Sequence, residues 1–378
     1  MEGTLMEFIK NGGAAIQRLI DEACESGLRA VTVTGLYEIE QTILIPSDFT
    51  LTLMNCHLRM KDGTFCNMFT NASCRTERGR TAEGADRNII VEGVGRAILD
   101  GGEYNGLSES TYGKNGLPHI SFNNVLLFAN VDGFTVRNLH VRNQRWWALN
   151  FVACRNGRIS DIDFLADYSY LLPDGTRRFG LGTRAYGSAE CGGDDFDYKY
   201  ILVKNADGID LRSGCHDIII ENITGFTEDD TIALTALAGS TEALYGVKDM
   251  DKDIYNVVIR NVVSSAFCAN VRLLNQSGIR LYNILVDGVY DSSKNSPYMG
   301  RGCSGVRLGD VHLYGTRHAT ADETFNITIR NVCSRAGAAL RLAGAMKDCR
   351  FENIRTFDDA SLRIEDNASV DISGFIKD

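Results

Sequence analysis

Proline is almost missing from this chain, at 4 in 378 residues against 38 glycines. That balance excludes Pro-rich linkers and suits a fold with many tight backbone turns. No run approaches 18 apolar residues, so no membrane-spanning helix is expected. Basic residues are the minority, 39 Lys and Arg against 49 Asp and Glu, for a formal net charge of −10. A nucleic acid partner is therefore not expected, since neutralising phosphates needs a basic face. The 11 cysteines form no C-x-x-C pair, which argues against a zinc site or a redox motif. They read as buried reduced thiols. The amino terminus lacks a basic segment followed by an apolar one, so no secretory signal is expected and the compartment read here is cytoplasmic.

What is present fits a globular chain, with 44% apolar and 23% charged residues and ample length to bury a core. Residues 13–26, GAAIQRLIDEACES, carry apolar side chains at helical spacing, and Gly27 supplies a stop. From Ala30 onward the pattern is short β-rich pieces of period two: AVTVTGLYEIE, TILIPS and FTLTLMNCHLRM. Asp62-Gly63 reads as a turn and residues 72–87 as a polar surface excursion.

A repeat then emerges in NIIVEGV (88–94), GFTVRNL (133–139), GRISDID (157–163), DIIIENI (217–223), NVVIRNV (256–262), NILVDGV (283–289), NITIRNV (326–332) and DCRFENI (348–354). Its polar position falls at Asn138, Asp161, Asn222, Asn261, Asp287, Asn331 and Asn353, at steps near 22–26 residues or longer where a turn carries an insertion. A second strand follows most repeats: WALNFV, DGIDL, TIALTAL, NVRLLN, GVRLGD and AALRLAG. Rungs that cannot bury their own faces alone stack into a solenoid. The expected fold is all-β, a parallel β-helix capped by the amino-terminal helix, with residues 1–378 as a single domain. Asparagines in register at the turns are expected to bond from rung to rung inside the stack. Excursions near 101–124 (Tyr104, Tyr112, His119), 166–199 (Asp167, Tyr168, Tyr170, Arg184, Tyr186, Asp194, Asp195, Asp197) and 290–303 (Tyr290, Lys294, Tyr298, Arg301) are candidate binding loops.

The chemistry-bearing stretch is Asn205–Leu237, which holds two acidic knots, Asp207/Asp210 and Glu228/Asp229/Asp230. Asp207 and Asp229 are 22 residues apart, about one solenoid turn, which places the knots on neighbouring rungs. Close carboxylates cannot all ionise cheaply, so one holds a proton near neutral pH while its partners act as bases. That is the equipment for hydrolysing a glycosidic bond. Strand alternation sends Asp210 to the face opposite Asp207, as a structural residue.

NADGIDL followed by EDDTIAL resembles the first two signature motifs, Asn-Thr-Asp-Gly and Gly/Gln-Asp-Asp-Cys, of the polygalacturonase-like glycoside hydrolase family 28. GAAIQRLIDEACESG…TILIPSDFTLTL and NQRWWALNFVACRNGRISDI are similar to other stretches of these pectin-lyase-like proteins. The resemblance implies a single-stranded right-handed parallel β-helix and inverting hydrolysis. It implies Asp229 as general acid, with Asp207 and Asp230 orienting and deprotonating the water. The family's Gly-His-Gly motif meets Cys268-Ala269-Asn270 here, with no histidine. Its Arg-Ile-Lys motif meets Arg307-Leu308-Gly309, or alternatively Arg272-Leu273-Leu274, keeping arginine and losing lysine. Half of the implied uronate grip is gone, which argues against bulk polygalacturonate.

Candidate substrate-binding residues are Arg307, Arg272, Trp147, Glu228 and Asn270, and Arg272, Arg307 and Arg341 are expected to form a ladder. Trp146 and Trp147 are expected to face opposite sides, the outer one as a sugar platform. His119, His216, His312 and His318 sit at no metal-ligand spacing, so no metal and no cofactor are expected. The expected partner is an oligosaccharide or glycoside, with no nucleic acid and no membrane, and a homo-oligomer stays open. Two alternatives stand beside the hydrolase. One is a lyase or an intramolecular glycosyl (for example fructosyl) transferase on the same scaffold, and the other is a non-catalytic carbohydrate-binding β-helix.

Overall fold

The computed structural model describes residues 7–102, 118–166, 169–171, 177–179, 206–295, 302–309, 315–358 and 361–364. Helix α1 (Gly12–Glu25) forms where the periodicity places it and buries Ile16, Ile20 and Ala23. It packs on strands Ala30–Ile39 and Ile43–Ile45, covering the apolar end of the first rung.

Two long parallel sheets follow. The first orders Ala30–Ile39, Phe49–Met60, Asp86–Val94, Val131–Arg142, Arg155–Leu165, His216–Thr227, Ile254–Ala266, Leu281–Asp291, Thr324–Ser334 and Arg350–Thr356, with Ile98–Asp100 beside the second and fourth. The second orders Ile43–Ile45, Phe69–Asn71, Leu126–Ala129, Leu149–Val152, Ile209–Arg212, Ile232–Ala236, Ala269–Asn275, Ser304–Leu308, Ala338–Leu342 and Ser361–Ile364. In both sheets spatial order equals chain order, so the backbone alternates between them and advances one rung per turn. This is a right-handed parallel β-helix. The repeat segments fall on the first sheet, and the expected second strands on the second.

Register makes the core a set of columns. Leu139, Ile162, Ile223, Val262, Val289, Val332 and Ile354 stand one above another, all shielded from solvent. Burying each such side chain is worth about 1.5–3 kcal/mol.

The polar position of the repeat is where the first-sheet strand bends. Asn138, Asp161, Asn222, Asn261, Asn331 and Asn353 take left-handed backbone, with φ between 51° and 58°. Asparagine tolerates this region because its short polar side chain bonds locally. Asp287 does not share the position: it pairs with Arg260 and Arg330, and Gly288 makes the bend at φ 84°. The ladder bonds form, with Asn222 Nδ2 donating to Asp161 Oδ1 at 2.9 Å and Asn261 Nδ2 to Asn222 Oδ1 at 2.8 Å. They lie on the exposed surface rather than inside the stack, because the bend turns these side chains away from the core.

Replacing Asn261 separates the two contributions. Asn261→Gly loses only the ladder bond, while Asn261→Ala also strains the left-handed backbone by about 1–2 kcal/mol. The alanine variant is expected to melt below the glycine variant, and equal melting temperatures by calorimetry would contradict the strain argument.

Candidate active site

Three stacked turns build the site. The amides of Gly208 and Ile209 donate to the carbonyls of Asp230 and Thr231, and the amide of Thr231 donates to the carbonyl of Ala269. The turns before Ile209–Arg212, Ile232–Ala236 and Ala269–Asn275 therefore lie on consecutive rungs. Glycine is required at 208, since a Cβ there would lie 2.4 Å from the Thr231 carbonyl oxygen. The Asp230 amide donates to Asp207 Oδ1 at 3.0 Å, tying the two acidic knots together. Beneath them the Thr227, Thr231 and Ser264 hydroxyls form a buried chain, with links of 3.0 Å and 2.9 Å.

Asp207, Asp210, Asp229 and Arg272 line one cavity of about 560 Å³, and Asp230 meets it through Arg272 Nη1 at 3.3 Å. Asp210 thus lies on the site face, correcting its expected place opposite Asp207. Asp207 precedes the strand, so alternation counts from Ile209, which sends Ile209 and Leu211 to the core and Asp210 and Arg212 outward. Burial and the neighbouring acids favour a proton on the Asp207 and Asp210 pair.

Two candidate ligands of substrate point elsewhere. Glu228 is fully buried, and its Oε2 accepts the Ala206 amide at 2.8 Å, bracing the rung that carries Asp207. Asn270 is also buried, its Nδ2 donating to the Ser264 carbonyl and hydroxyl at 2.7 Å and 2.8 Å. Both brace turns rather than face the cavity.

The opposite wall comes from Trp147 and α2 (Ser240–Tyr245). Trp146 takes φ 50°, which breaks strand alternation, so the two indoles do not face opposite sides. They stack with centroids 3.8 Å apart, and the Arg212 guanidinium covers Trp147 at 4.2 Å. Trp147 lines the cavity with Trp146 and Arg212 packed against its ring. Glu242 Oε1 accepts Arg212 Nε at 2.6 Å while its Oε2 caps α2 at the Gly239 amide, 2.8 Å away. Tyr245 and Val247 hold α2 against Leu127, Ala129 and Val152 on the outside of the second sheet. His119 also lines the cavity, Nε2 lying 2.9 Å from Ser240 Oγ.

The acids are charged unequally. Burial pushes Asp229 up to about 7, with Asp230 adding to the effect and Arg272 opposing it. Burial and the neighbouring acids raise Asp207 well above the carboxylate range, and burial and Asp230 do the same to Asp210. Burial raises Asp230 as well, but Arg272 and Arg307 pull it back. The arginine ladder is present and longer than expected: Ala233 is in register with Arg272, then Arg307, Arg341 and Arg363. The two candidate alignments of the motif arginine are thus neighbours on one face. Burial and its like-charged neighbours lower the pKa of Arg307.

Arg212, which lines the cavity, and its partner Glu242 are residues that motif reading misses. The signal for Arg212 was its spacing of two from Asp210. His216 opens strand His216–Thr227 and stacks on Tyr255 of the next rung. The ten described cysteines are free thiols. Tyr104, Tyr112, Asp167, Tyr168, Arg184, Tyr186, Asp194, Asp195, Asp197, Asn205, Tyr298, Arg301 and His312 lie outside the described residues, as does the Tyr170 side chain.

The fold has several solved relatives at low identity. An exopolygalacturonase of Thermotoga maritima is 13% identical, with 95% of this chain and 86% of that one covered at a TM-score of 0.56. A 1,3-α-1,4-β-D-galactose-4-sulfate-3,6-anhydro-D-galactose-2-sulfate 4 galactohydrolase is 11% identical, with 95% and 87% covered at 0.53. The A-module of the mannuronan C-5 epimerase AlgE4 of Azotobacter vinelandii is 14% identical, with 94% and 75% covered at 0.51. No curated protein matches the chain. The family model for glycosyl hydrolases family 28 matches residues 37–266, a stretch that holds all four cavity acids and ends two residues before Cys268. With that match over more than half its length, the chain belongs to glycosyl hydrolases family 28 and is a glycosidase.

Proposed function

We propose that this glycosidase hydrolyses an oligosaccharide or glycoside, other than bulk polygalacturonate, by direct displacement with inversion at the anomeric carbon. The unequal charging of two adjacent carboxyls carries the reading. Asp229, raised to about 7, holds a proton to give, while Arg272 and Arg307 favour the ionised form of Asp230. In this scheme Asp229 protonates the glycosidic oxygen as its bond to the anomeric carbon breaks. Water attacks from the opposite face, and its proton passes to Asp230. Asp207 orients that water, since its own raised pKa makes it a poor base. A protein that only bound sugar would have no use for four crowded acids, whose burial works against stability.

The cavity of about 560 Å³ suits a short saccharide unit, and Arg272 on its wall supplies donors for anionic or hydroxyl groups. Polygalacturonate fits less well for a backbone reason. Gly309, at the motif lysine position, has φ 88°, and a Cβ there would lie 1.8 Å from the Ala343 carbonyl oxygen. No side chain stands at that place without moving the next rung.

Asp229→Asn is expected to lower turnover by about 10²–10⁴-fold. Release of reducing ends with inverted anomeric configuration by NMR supports the scheme, and an ultraviolet-absorbing unsaturated product overturns it. The same variant tests the pKa through stability. A carboxyl whose folded pKa is raised keeps a proton that the unfolded chain has lost, so its contribution declines as pH rises from the ordinary carboxylate range toward 7. The variant is therefore expected to melt a few degrees above the wild type at pH about 8, the gap shrinking at pH about 4, by calorimetry. For the wild type, kcat/KM is expected to fall as pH rises past about 7, where Asp229 loses its proton. Gly309→Lys is expected to lower the melting temperature without creating polygalacturonate hydrolysis in a reducing-sugar assay.

A further inference from the structure

Cys268 stands in the turn directly above Asp229, its amide 3.4 Å from the Asp229 carbonyl oxygen. Its Sγ and one carboxylate oxygen each of Asp229 and Asp230 lie within 4.8 Å of one another. One rung further on, Cys303 reaches the same place, the Ser304 amide donating to the Cys268 carbonyl at 2.8 Å. The Cys268 thiol thus lies against the Asp229 carboxyl on one side, with Cys303 on the next rung at the other.

Three roles suit a thiol beside two carboxylates. A metal ligand would have to be a thiolate, and a divalent cation would sit against Arg272 and Arg307, which already occupy the cationic side of Asp230. A redox-reactive cysteine also needs the thiolate, whereas Cys303, burial and both acids all hold the Cys268 proton on. A thiol that keeps its proton serves as a permanent hydrogen-bond donor.

We propose that Cys268 is a positioning residue, whose S–H donates to Asp229, fixes the orientation of that carboxyl and stabilises the carboxylate left once its proton has gone to the leaving group. The inference rests on Asp229 being the acid. The groups facing Asp229 are Asp207 from the rung below, Asp230 beside it, Cys268 and Arg272 from the rung above and Cys303 beyond, while Asp210 lines the same cavity and Arg307 acts on Asp230. Burial, Asp230 and Cys303 raise its pKa, and the Cys268 S–H and Arg272 lower it.

Cys268→Ala is expected to move the alkaline limb of kcat/KM upward by about 0.5–1 pH unit, lowering kcat with KM unchanged. Cys268→Ser, which keeps a donor, is expected to return most of both. A serine variant that behaves like alanine, or an alanine variant with an unmoved limb, overturns the proposal. Infrared difference spectra (wild type minus Cys268→Ser) isolate the S–H stretch without any substrate. That band is expected to shift to lower frequency as pH rises through the Asp229 titration, and to stay still in Asp229→Asn. An S–H band indifferent to Asp229 sinks the inference even if hydrolysis stands. Full turnover in Asp229→Asn sinks the hydrolytic scheme instead, whatever the band does.

Discussion

The ion pair of Asp230 with Arg272, at 3.3 Å, is where two blocks of opposite charge meet. A parallel β-helix stacks equivalent positions directly above one another about 4.8 Å apart. Charges of one sign therefore accumulate along a face unless the sequence alternates them. Here Asp207, Asp210, Asp229 and Asp230 fill two rungs, and Arg272, Arg307 and Arg341 fill the next three. Burial, together with repulsion within each block, shows in the upward shifts of the acids and the downward shift of Arg307. At the seam between the two blocks the signs attract. Asp230 sits at that seam and is kept closer to ionised, while Asp229, its sequence neighbour, is lifted to about 7.

Such a site persists because its frame is overdetermined. The buried Thr227, Thr231, Ser264 and Asn270 network lies under the acidic turns, and Glu228 clamps the Ala206 amide on the rung below. These groups donate and accept among themselves, so the acids cannot relieve their repulsion by rotating the turns. The second sheet is also buried on both faces at Ile209–Arg212 and Ile232–Ala236, which deprives the carboxylates of water. Repulsion and desolvation thus remain stored in the carboxyl protonation states, where the proposed chemistry uses them.

What was legible in the sequence follows from the same geometry. Columns of Ile, Val and Leu at period two, and asparagines at bends, are local signals, so both sheets and α1 were readable. The spacing of Asp207, Asp229 and Asp230 was readable because one rung is a nearly constant length of chain. Errors arose where local backbone broke the period. Alternation counted from Asp207 sends Asp210 the wrong way, because the strand starts only at Ile209. The left-handed Trp146 folds two indoles together, and Glu228 turns inward because its partner is a backbone amide, which no motif displays. Arg212 and Glu242 were invisible as a pair, since 30 residues and a short helix separate them.

Fold and chemistry are separable here. Hydrolases and a C-5 epimerase share this β-helix at 11–14% identity, so the coil itself selects no reaction. What selects it is the content of a few stacked turns. The family match covers the rungs that bear the acids and ends before Cys268, Arg272 and Arg307. The acid-bearing half of the site is thus the part shared with the family. Beyond that match Cys268-Ala269-Asn270 stands where the resemblance implies a histidine motif and Gly309 where it implies lysine, while the motif arginine is kept. Gly309 shows that this divergence is structural, since the backbone that leaves no room for a lysine also brings the next rung close. Arg272, at the cavity wall, begins a line of arginines through Arg307 and Arg341 along the helix axis, and that alignment comes from the register of the coil.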